Sequence, residues 1–113
     1  MISLPTYIEG YRRMIVARNT ISAVFANVDL LVTPTTRVMA GPIASPPTGL
    51  IRNTVPFNAL GIPTISVPCG FSRSGFPIGL QVSGPRLGEA RVLALAHAYE
   101  QATEWHRRQP VLP

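Results

Sequence analysis

Apolar residues recur mostly every three or four positions over residues 6–27, which is the spacing of one face of an α-helix. Thr6 and Glu9 stand at the spacing of a capping box, in which each side chain bonds an unpaired backbone N–H at the helix start. Gly10 weakens the first turn by up to about 1 kcal/mol relative to Ala. We therefore predict an amphipathic helix with a buried stripe made of Ile8, Tyr11, Ile15, Ile21, Phe25 and Val28.

Three short apolar segments predict β-strands. Residues 30–33 form an apolar run that stops at Pro34, and a run without alternation predicts a strand covered on both faces. Residues 64–67 predict a second buried strand. Residues 78–83 alternate apolar side chains with Gly, Gln and Ser and predict a third strand, with residues 70–75 forming the turn before it.

Between the first two strands we predict a loop and a short helix. Proline removes backbone donors and glycine loosens the chain, so residues 34–50 predict a proline-rich loop. Long loops in compact domains often line binding sites or form lids. After the loop, Thr54 is expected to cap a short helix that tolerates Pro56 in its first turn and ends at Gly61.

Residues 88–106 predict the last helix. Glu89 near its start and Arg107 and Arg108 near its end have the charges that the helix macrodipole favours. Its apolar positions recur at helical spacing. The predicted buried stripe consists of Val92, Leu95, Ala96, Tyr99, Ala102 and Trp105.

The composition indicates a surface that is poor in charge. Hydrophobic residues make up 46% of the chain and charged residues 13%, against about 25% charged residues in ordinary soluble domains. With 113 residues, the chain forms at most one domain, which buries about two-thirds of the surface of its unfolded form. The low charge therefore points to a large interface with a partner or with a second copy.

The charge pattern and the single cysteine narrow the classes of function further. The net charge is +5 and all ten cations are arginines spread along the chain, whereas nucleic-acid-binding proteins usually concentrate their basic residues. A solvated basic surface is therefore favoured over nucleic-acid binding.

Cys69 has no intrachain disulfide partner, which fits a reducing compartment. With no signal-type segment and no membrane-length apolar stretch, we expect a cytoplasmic location and no membrane contact.

Four polar residues are the strongest candidates for a functional site. They are Arg52, Asn53, Thr54 and Asn58, which surround a helix start that follows the long loop. Because helix starts favour anionic groups or developing negative charge, we interpret this cluster as the border of a substrate cleft. The competing interpretation is structural, with Thr54 and Asn58 capping the helix and anchoring the loop.

The other polar residues do not form a recognisable catalytic or metal site. Residues 70–75 carry Ser at position 74, where the G-x-S-x-G motif would need Gly. Asp29, His97 and His106 lack the spacing of metal ligands, and Cys69 is interpreted as a small apolar residue rather than a nucleophile. We therefore expect no catalytic residue, no cofactor site and no metal site in this chain.

Several segments together resemble the C-terminal part of the amidase signature family of serine amidohydrolases. In order along the chain, they are residues 28–35, 52–71, 75–81, 93–100 and the pair Trp105-His106. The resemblance implies an α/β fold in which a mixed β-sheet is flanked by helices, and of which this chain supplies only the last part. It also implies hydrolysis of linear amide C–N bonds, or transfer of the released ammonia, through an acyl-enzyme.

The family's catalytic residues are a nucleophilic serine, a second serine in a cis peptide and a lysine base. None of the three has a match in this chain, which contains no lysine, and arginine cannot replace a neutral amine as a proton acceptor. The resemblance therefore implies that residues 1–113 are a partial amidase domain that is inactive alone. A small-molecule amide would be its substrate only in the complete enzyme.

Three hypotheses follow for the role of the chain. It is the C-terminal fragment of an amidase, or a separate subunit that completes a split amidase, or, with only the arginine excess in its favour, a basic nucleic-acid-binding module. Under the first two, its partner is the missing N-terminal part of the amidase domain, unless the exposed apolar face self-associates. Strands cut from a larger sheet leave unpaired edges, so we expect the isolated chain to be loosely folded, oligomeric or prone to aggregate.

Overall fold

The computed structural model describes residues 1–109, in which three α-helices and three β-strands are joined by turns and two short 3-10 segments. Residues 35–54 contain turns but no helix or strand. None of the helices in the described part of the chain is long and apolar enough to cross a membrane. The elements are α1 Leu4–Thr20, β1 Leu31–Pro34, α2 Val55–Leu60, β2 Thr64–Phe71, β3 Pro77–Ser83 and α3 Glu89–Ala102.

The first helix begins earlier than the spacing of Thr6 and Glu9 predicts. Ser3 caps α1, because its Oγ accepts a hydrogen bond from the backbone N–H of Thr6 at 3.4 Å. The predicted capping box is therefore wrong, and Glu9 instead pairs with Arg13 at 2.8 Å one turn further on. The α-helix ends at Thr20 and continues as a 3-10 segment, so the predicted helix over residues 6–27 is two segments.

The apolar stripe of α1 is largely uncovered within the described residues. Ile8, Tyr11 and Ile15 are 42%, 50% and 40% exposed, and α1 contains no buried residue. A hydrogen bond from the Arg18 Nε to the carbonyl of Ala59, at 2.6 Å, ties the helix to α2. The periodicity therefore identified the helix correctly, but most of its apolar stripe is exposed in the described part of the chain.

The three strands form one antiparallel sheet in the order β1-β3-β2. β2 and β3 are a hairpin, with a bulge between Pro68 and Gly70. Helices and this sheet confirm the α/β class, while the parallel pairing of a mixed sheet does not occur among the described strands. Register sets Thr33 and Ser66 opposite Gln81, and Val32 and Ile65 opposite Val82.

Because opposed residues in a sheet point to the same side, the register separates an apolar face from a polar one. The apolar face carries Val32, Pro34, Ile65, Val67, Leu80 and Val82. The polar face carries Thr33, Thr35, Thr64, Ser66, Gln81 and Ser83, together with Leu31, Pro68 and Gly79. The expectation that the first two strands are covered on both faces is wrong for the described residues. Val32 is 51% exposed, and Thr64 and Ser66 are exposed as well.

The last helix packs on the apolar face. α3 contacts β2 and β3, and its buried residues are Val92 and Ala96. It ends at Ala102 rather than at residue 106, because Thr103 is extended. Leu95, which the stripe placed in the core, is 38% exposed. Trp105 lies in a separate 3-10 turn, where its ring packs against Phe71 with centroids 6.3 Å apart.

The molecule has a large surface for its mass. Its accessible area is 8634 Å², whereas a folded protein of 12.2 kDa exposes about 6,100 Å². The radius of gyration is 17.0 Å, against about 13 Å for a compact domain of this length. The buried hydrophobic residues among those described are Ile62, Val67, Val82, Val92 and Ala96. About 2,500 Å² of surface therefore lacks the cover that a compact fold provides.

Replacement of Gly84 by alanine should loosen the packing of α3 on the sheet. A Cβ at this position would lie 2.6 Å from Val92 Cγ2 and 3.3 Å from Leu30 Cδ2, and overpacking of this kind costs about 1–3 kcal/mol. The measurement is hydrogen exchange at the backbone amide of Val92, which bonds to the Gly88 carbonyl at 3.2 Å and should exchange faster in the variant. Gly10→Ala is the matched control, since nothing lies within 4 Å of a Cβ there. Equal exchange of the Val92 amide in the two variants would contradict this packing.

Candidate functional site

Side-chain hydrogen bonds connect the strands across the polar face. Two of them join neighbouring strands, and the third joins the residue after β1 to β2 across Gly79 of the central strand. They run from Gln81 Nε2 to Thr33 Oγ1 at 3.2 Å, from Thr64 Oγ1 to Ser83 Oγ at 2.9 Å, and between Thr35 Oγ1 and Ser66 Oγ at 2.5 Å. The polar face is therefore an ordered set of hydrogen-bonded hydroxyl and amide groups.

Gln81 connects this face to the segment that precedes α2. Its side chain is 1% exposed, and its Nε2 also donates to the backbone carbonyl of Asn53 at 3.3 Å. The side chain of Asn53 in turn donates from Nδ2 to the carbonyl of Pro34, at the end of β1, at 2.9 Å. Two hydrogen bonds thus hold Asn53, one of the four predicted site residues, against the edge of the polar face.

The other three predicted site residues are arranged differently. Thr54 occupies the position before α2, but its hydroxyl donates back to the carbonyl of Ile51 at 3.1 Å and makes no capping bond to α2. Arg52 and Asn58 are exposed. The structure therefore places Asn53 at the polar face, whereas the assignment of all four residues to a substrate cleft stays a prediction.

A cleft of about 370 Å³ opens beside the Thr35–Ser66 pair. One wall comes from the proline-rich loop and the other from the hairpin, and the lining is mostly apolar. Its lining residues are Thr35, Thr36, Ala40, Leu50, Ser66, Val67, Pro68, Pro77, Ile78 and Gly79. None of the four predicted site residues belongs to this lining.

Glycine at position 79 makes room for the hydroxyl pair. A Cβ there would lie 2.6 Å from Thr35 Oγ1 and 2.7 Å from Ser66 Oγ, distances that real Cβ contacts do not reach. Sequence reasoning missed Thr35, Ser66 and Gly79 as site residues. The signal was present in the alternation of Thr and Ser with apolar residues at positions 33, 35, 64 and 66, which marks one polar face.

The chemistry that these groups offer is hydrogen bonding rather than proton transfer. Thr35 and Ser66 bond to each other and not to a base. Burial raises the pKa of the Cys69 thiol, which keeps it protonated and a poor nucleophile. Within residues 1–109, no three His, Cys, Asp or Glu side chains come together in a group that could hold a metal ion. The cleft is thus suited to contacting a ligand through hydrogen bonds.

Comparison with known proteins identifies the family. The model of the family described as Amidase matches residues 3–93. This chain belongs to the amidase family. The resemblance to amidase signature enzymes that the sequence motifs suggested is confirmed.

Among the relatives of this amidase-family chain, a subunit of the glutamyl-tRNA(Gln) amidotransferase of Synechococcus sp. is 44% identical over 112 residues, which cover 94% of this chain and 23% of the relative. The structure of 6-aminohexanoate cyclic dimer hydrolase matches with a TM-score of 0.85 and 26% identity, over 96% of this chain and 26% of that one. The peptide amidase of Stenotrophomonas maltophilia matches with a TM-score of 0.73 and 34% identity, over 98% and 23%. The chain therefore spans about a quarter of the length of these amidases.

Loss of the Gln81 amide should loosen the segment before α2. In Gln81→Leu, the Asn53 carbonyl and Thr33 hydroxyl lose a buried donor, a change that costs roughly 1–3 kcal/mol. We expect the backbone amides of Thr54 and Val55, which bond to the Ile51 carbonyl, to exchange hydrogen about tenfold faster.

Hydrogen-exchange mass spectrometry of the variant and the parent chain is the measurement. Asn58→Ala is the control, because Asn58 is exposed on α2 and its side chain makes no hydrogen bond among the described residues. Unchanged exchange of residues 52–55 in Gln81→Leu, or an equal increase in the control, would show that Gln81 does not hold this segment.

Proposed function

We propose that this chain is the C-terminal part of an amidase signature enzyme that cleaves linear amide C–N bonds through an acyl-enzyme. In this proposal it supplies part of the sheet and one wall of the substrate cleft, but no catalytic group. One observation carries the proposal. Nearly the whole chain matches about a quarter of the length of two amide hydrolases, 6-aminohexanoate cyclic dimer hydrolase and the peptide amidase. The absence of lysine from the sequence supports the inactivity of the chain alone.

The part of the cleft that this chain contributes is built on the polar face. Thr35 and Ser66 present hydroxyl groups at the cleft of about 370 Å³, whose remaining lining is mostly apolar. A few polar groups among apolar walls are the usual composition of small-molecule sites. We propose that these hydroxyls orient an amide substrate, with Arg52, Asn53, Thr54 and Asn58 at the border of the same cleft in the complete enzyme.

The sequence identity of this chain to its relatives favours an amidotransferase as the complete enzyme to which the chain belongs. Amidotransferase subunits of Synechococcus sp. and Nostoc sp. are 44% and 41% identical to the chain, while that of Thermotoga maritima and the peptide amidase are both 34% identical. The Synechococcus and Nostoc relatives support a parent that passes the ammonia of an amide to an acceptor. The second candidate function is a separate subunit that completes a split amidase, which the uncovered surface of the chain supports equally well.

A chimera tests the proposed function. This chain replaces the matched 112 residues of the Synechococcus relative, and ammonia release from glutamine and from a simple aryl amide is measured. We expect the chimera to release ammonia and this chain alone to release none. Gly79→Ala in the chimera should lower the rate because its Cβ displaces the Thr35 and Ser66 hydroxyls, whereas Gly10→Ala should leave the rate unchanged.

Two results would overturn the proposal. Amide hydrolysis by this chain alone would show that it carries its own catalytic groups. A folded chimera without activity toward any amide, while the Synechococcus parent is active, would show that the chain does not serve an amidase. The ammonia-release assay is then repeated with this chain and the unmatched part of the Synechococcus relative as two separate proteins. Its result decides whether a split amidase is active.

A further inference from the structure

Two backbone hydrogen bonds determine which groups of the sheet point outward. The N–H of Thr35 donates to the carbonyl of Gly79 at 2.8 Å, and the N–H of Gly84 donates to the carbonyl of Pro63 at 3.0 Å. In an antiparallel ladder, the residues that bond the neighbouring strand alternate with residues whose N–H and C=O face away. The direction of every backbone group in β1 and β2 follows from these two bonds and the register.

The outer edge of β1 is poorly suited to accept another strand. By this alternation its outward residues are Val32 and Pro34. Pro34 has no N–H, and its carbonyl already accepts the hydrogen bond from Asn53 Nδ2. Only the N–H and C=O of Val32 remain, which is too few for a strand pairing of ordinary length.

The outer edge of β2 is open. Ile65 and Val67 bond to β3, so the N–H and C=O groups of Thr64 and Ser66 point away from the sheet, and both residues are exposed. Pro68 is the next outward residue, so its missing N–H is on the outer side, where proline is tolerated in strands. The free edge is thus a continuous stretch that begins at Thr64 and ends at Pro68 and the bulge after it.

We propose that this edge of β2 pairs, through the backbone of Thr64 and Ser66, with a β-strand from the three quarters of the amidase relatives that this chain does not match. The inference rests on the proposed function and names the surface through which the two parts join. Unpaired edge groups of this kind are a template for strand addition.

The length of the relatives and the net charge favour the remaining amidase part over a second copy as the occupant. The surface that lacks cover, about 2,500 Å², is of the size that obligate partners bury, and the relatives are about four times as long as the aligned segment. Two copies of this chain would each carry a net charge of +5 and would repel each other.

Hydrogen exchange read at single amides tests the proposal. The chain is measured alone and after mixing with the unmatched part of the Synechococcus relative, made as a separate protein. We expect the amides of Thr64 and Ser66 to become at least about tenfold more protected on mixing, because each gains a hydrogen bond. The amide of Val32 should change much less and serves as the control on the opposite edge.

Matched substitutions separate the backbone from the side chain. Ser66→Pro removes the outward N–H and should weaken association about tenfold or more. Ser66→Ala keeps the N–H and loses only the hydroxyl, and Val32→Pro removes an outward N–H from the other edge, so both should bind nearly as the parent does. A loss in Ser66→Ala equal to that in Ser66→Pro would overturn the proposal.

The remaining outcomes are also decisive. Failure to associate, or association that protects Val32 and leaves Thr64 and Ser66 unchanged, overturns the assignment of the edge. Protection of Thr64 and Ser66 that grows with the concentration of this chain alone means that a second copy is the occupant. Restored amide hydrolysis without protection at this edge defeats the edge pairing but not the function. Protection at this edge in the mixture, together with a folded chimera that cleaves no amide, defeats the function but not the edge pairing.

Discussion

The pairing of β3 with a strand on each side is the interaction on which the rest of the described structure depends. It buries Val82 completely and leaves Gln81 and Ser83 1% exposed. Because side chains alternate along a strand, this one element sends Val82 toward α3 and Gln81 toward the segment before α2. A shift of one residue in register would exchange the two faces and remove both contacts.

The polar face explains why the candidate site lies where it does. A buried amide needs partners, and Gln81 finds them in Thr33 and in the backbone of Asn53. These bonds hold the segment before α2 beside β1, while the proline-rich loop and the hairpin form the cleft next to Thr35 and Ser66. The geometry of the site is therefore a consequence of hydrogen-bond satisfaction within the sheet.

Local sequence patterns predicted the helices and strands well. They did not predict which faces are buried or which distant residues are in contact. The left-handed conformation at the end of α2 needs a glycine, and Gly61 with φ of 67° supplies it. The hairpin and the alternation of β3 were equally local. The burial of α1 and β1 was misjudged because an apolar stripe indicates that a surface is covered without indicating by what. The Thr35–Ser66 pair was missed because it joins residues 31 positions apart. The alternation of Thr and Ser marks the polar face, but it does not say which residues meet on that face.

Calorimetric unfolding tests the central claim that this chain is stable only as one part of a larger amidase sheet. The heat capacity is recorded for the chain alone and for its equimolar mixture with the unmatched part of the Synechococcus relative. We predict no sharp transition for the chain alone and one cooperative transition for the mixture, because in the proposed complex the partner covers the apolar surface of α1 and pairs with the free strand edge. A sharp transition of the chain alone, as a monomer, would contradict it.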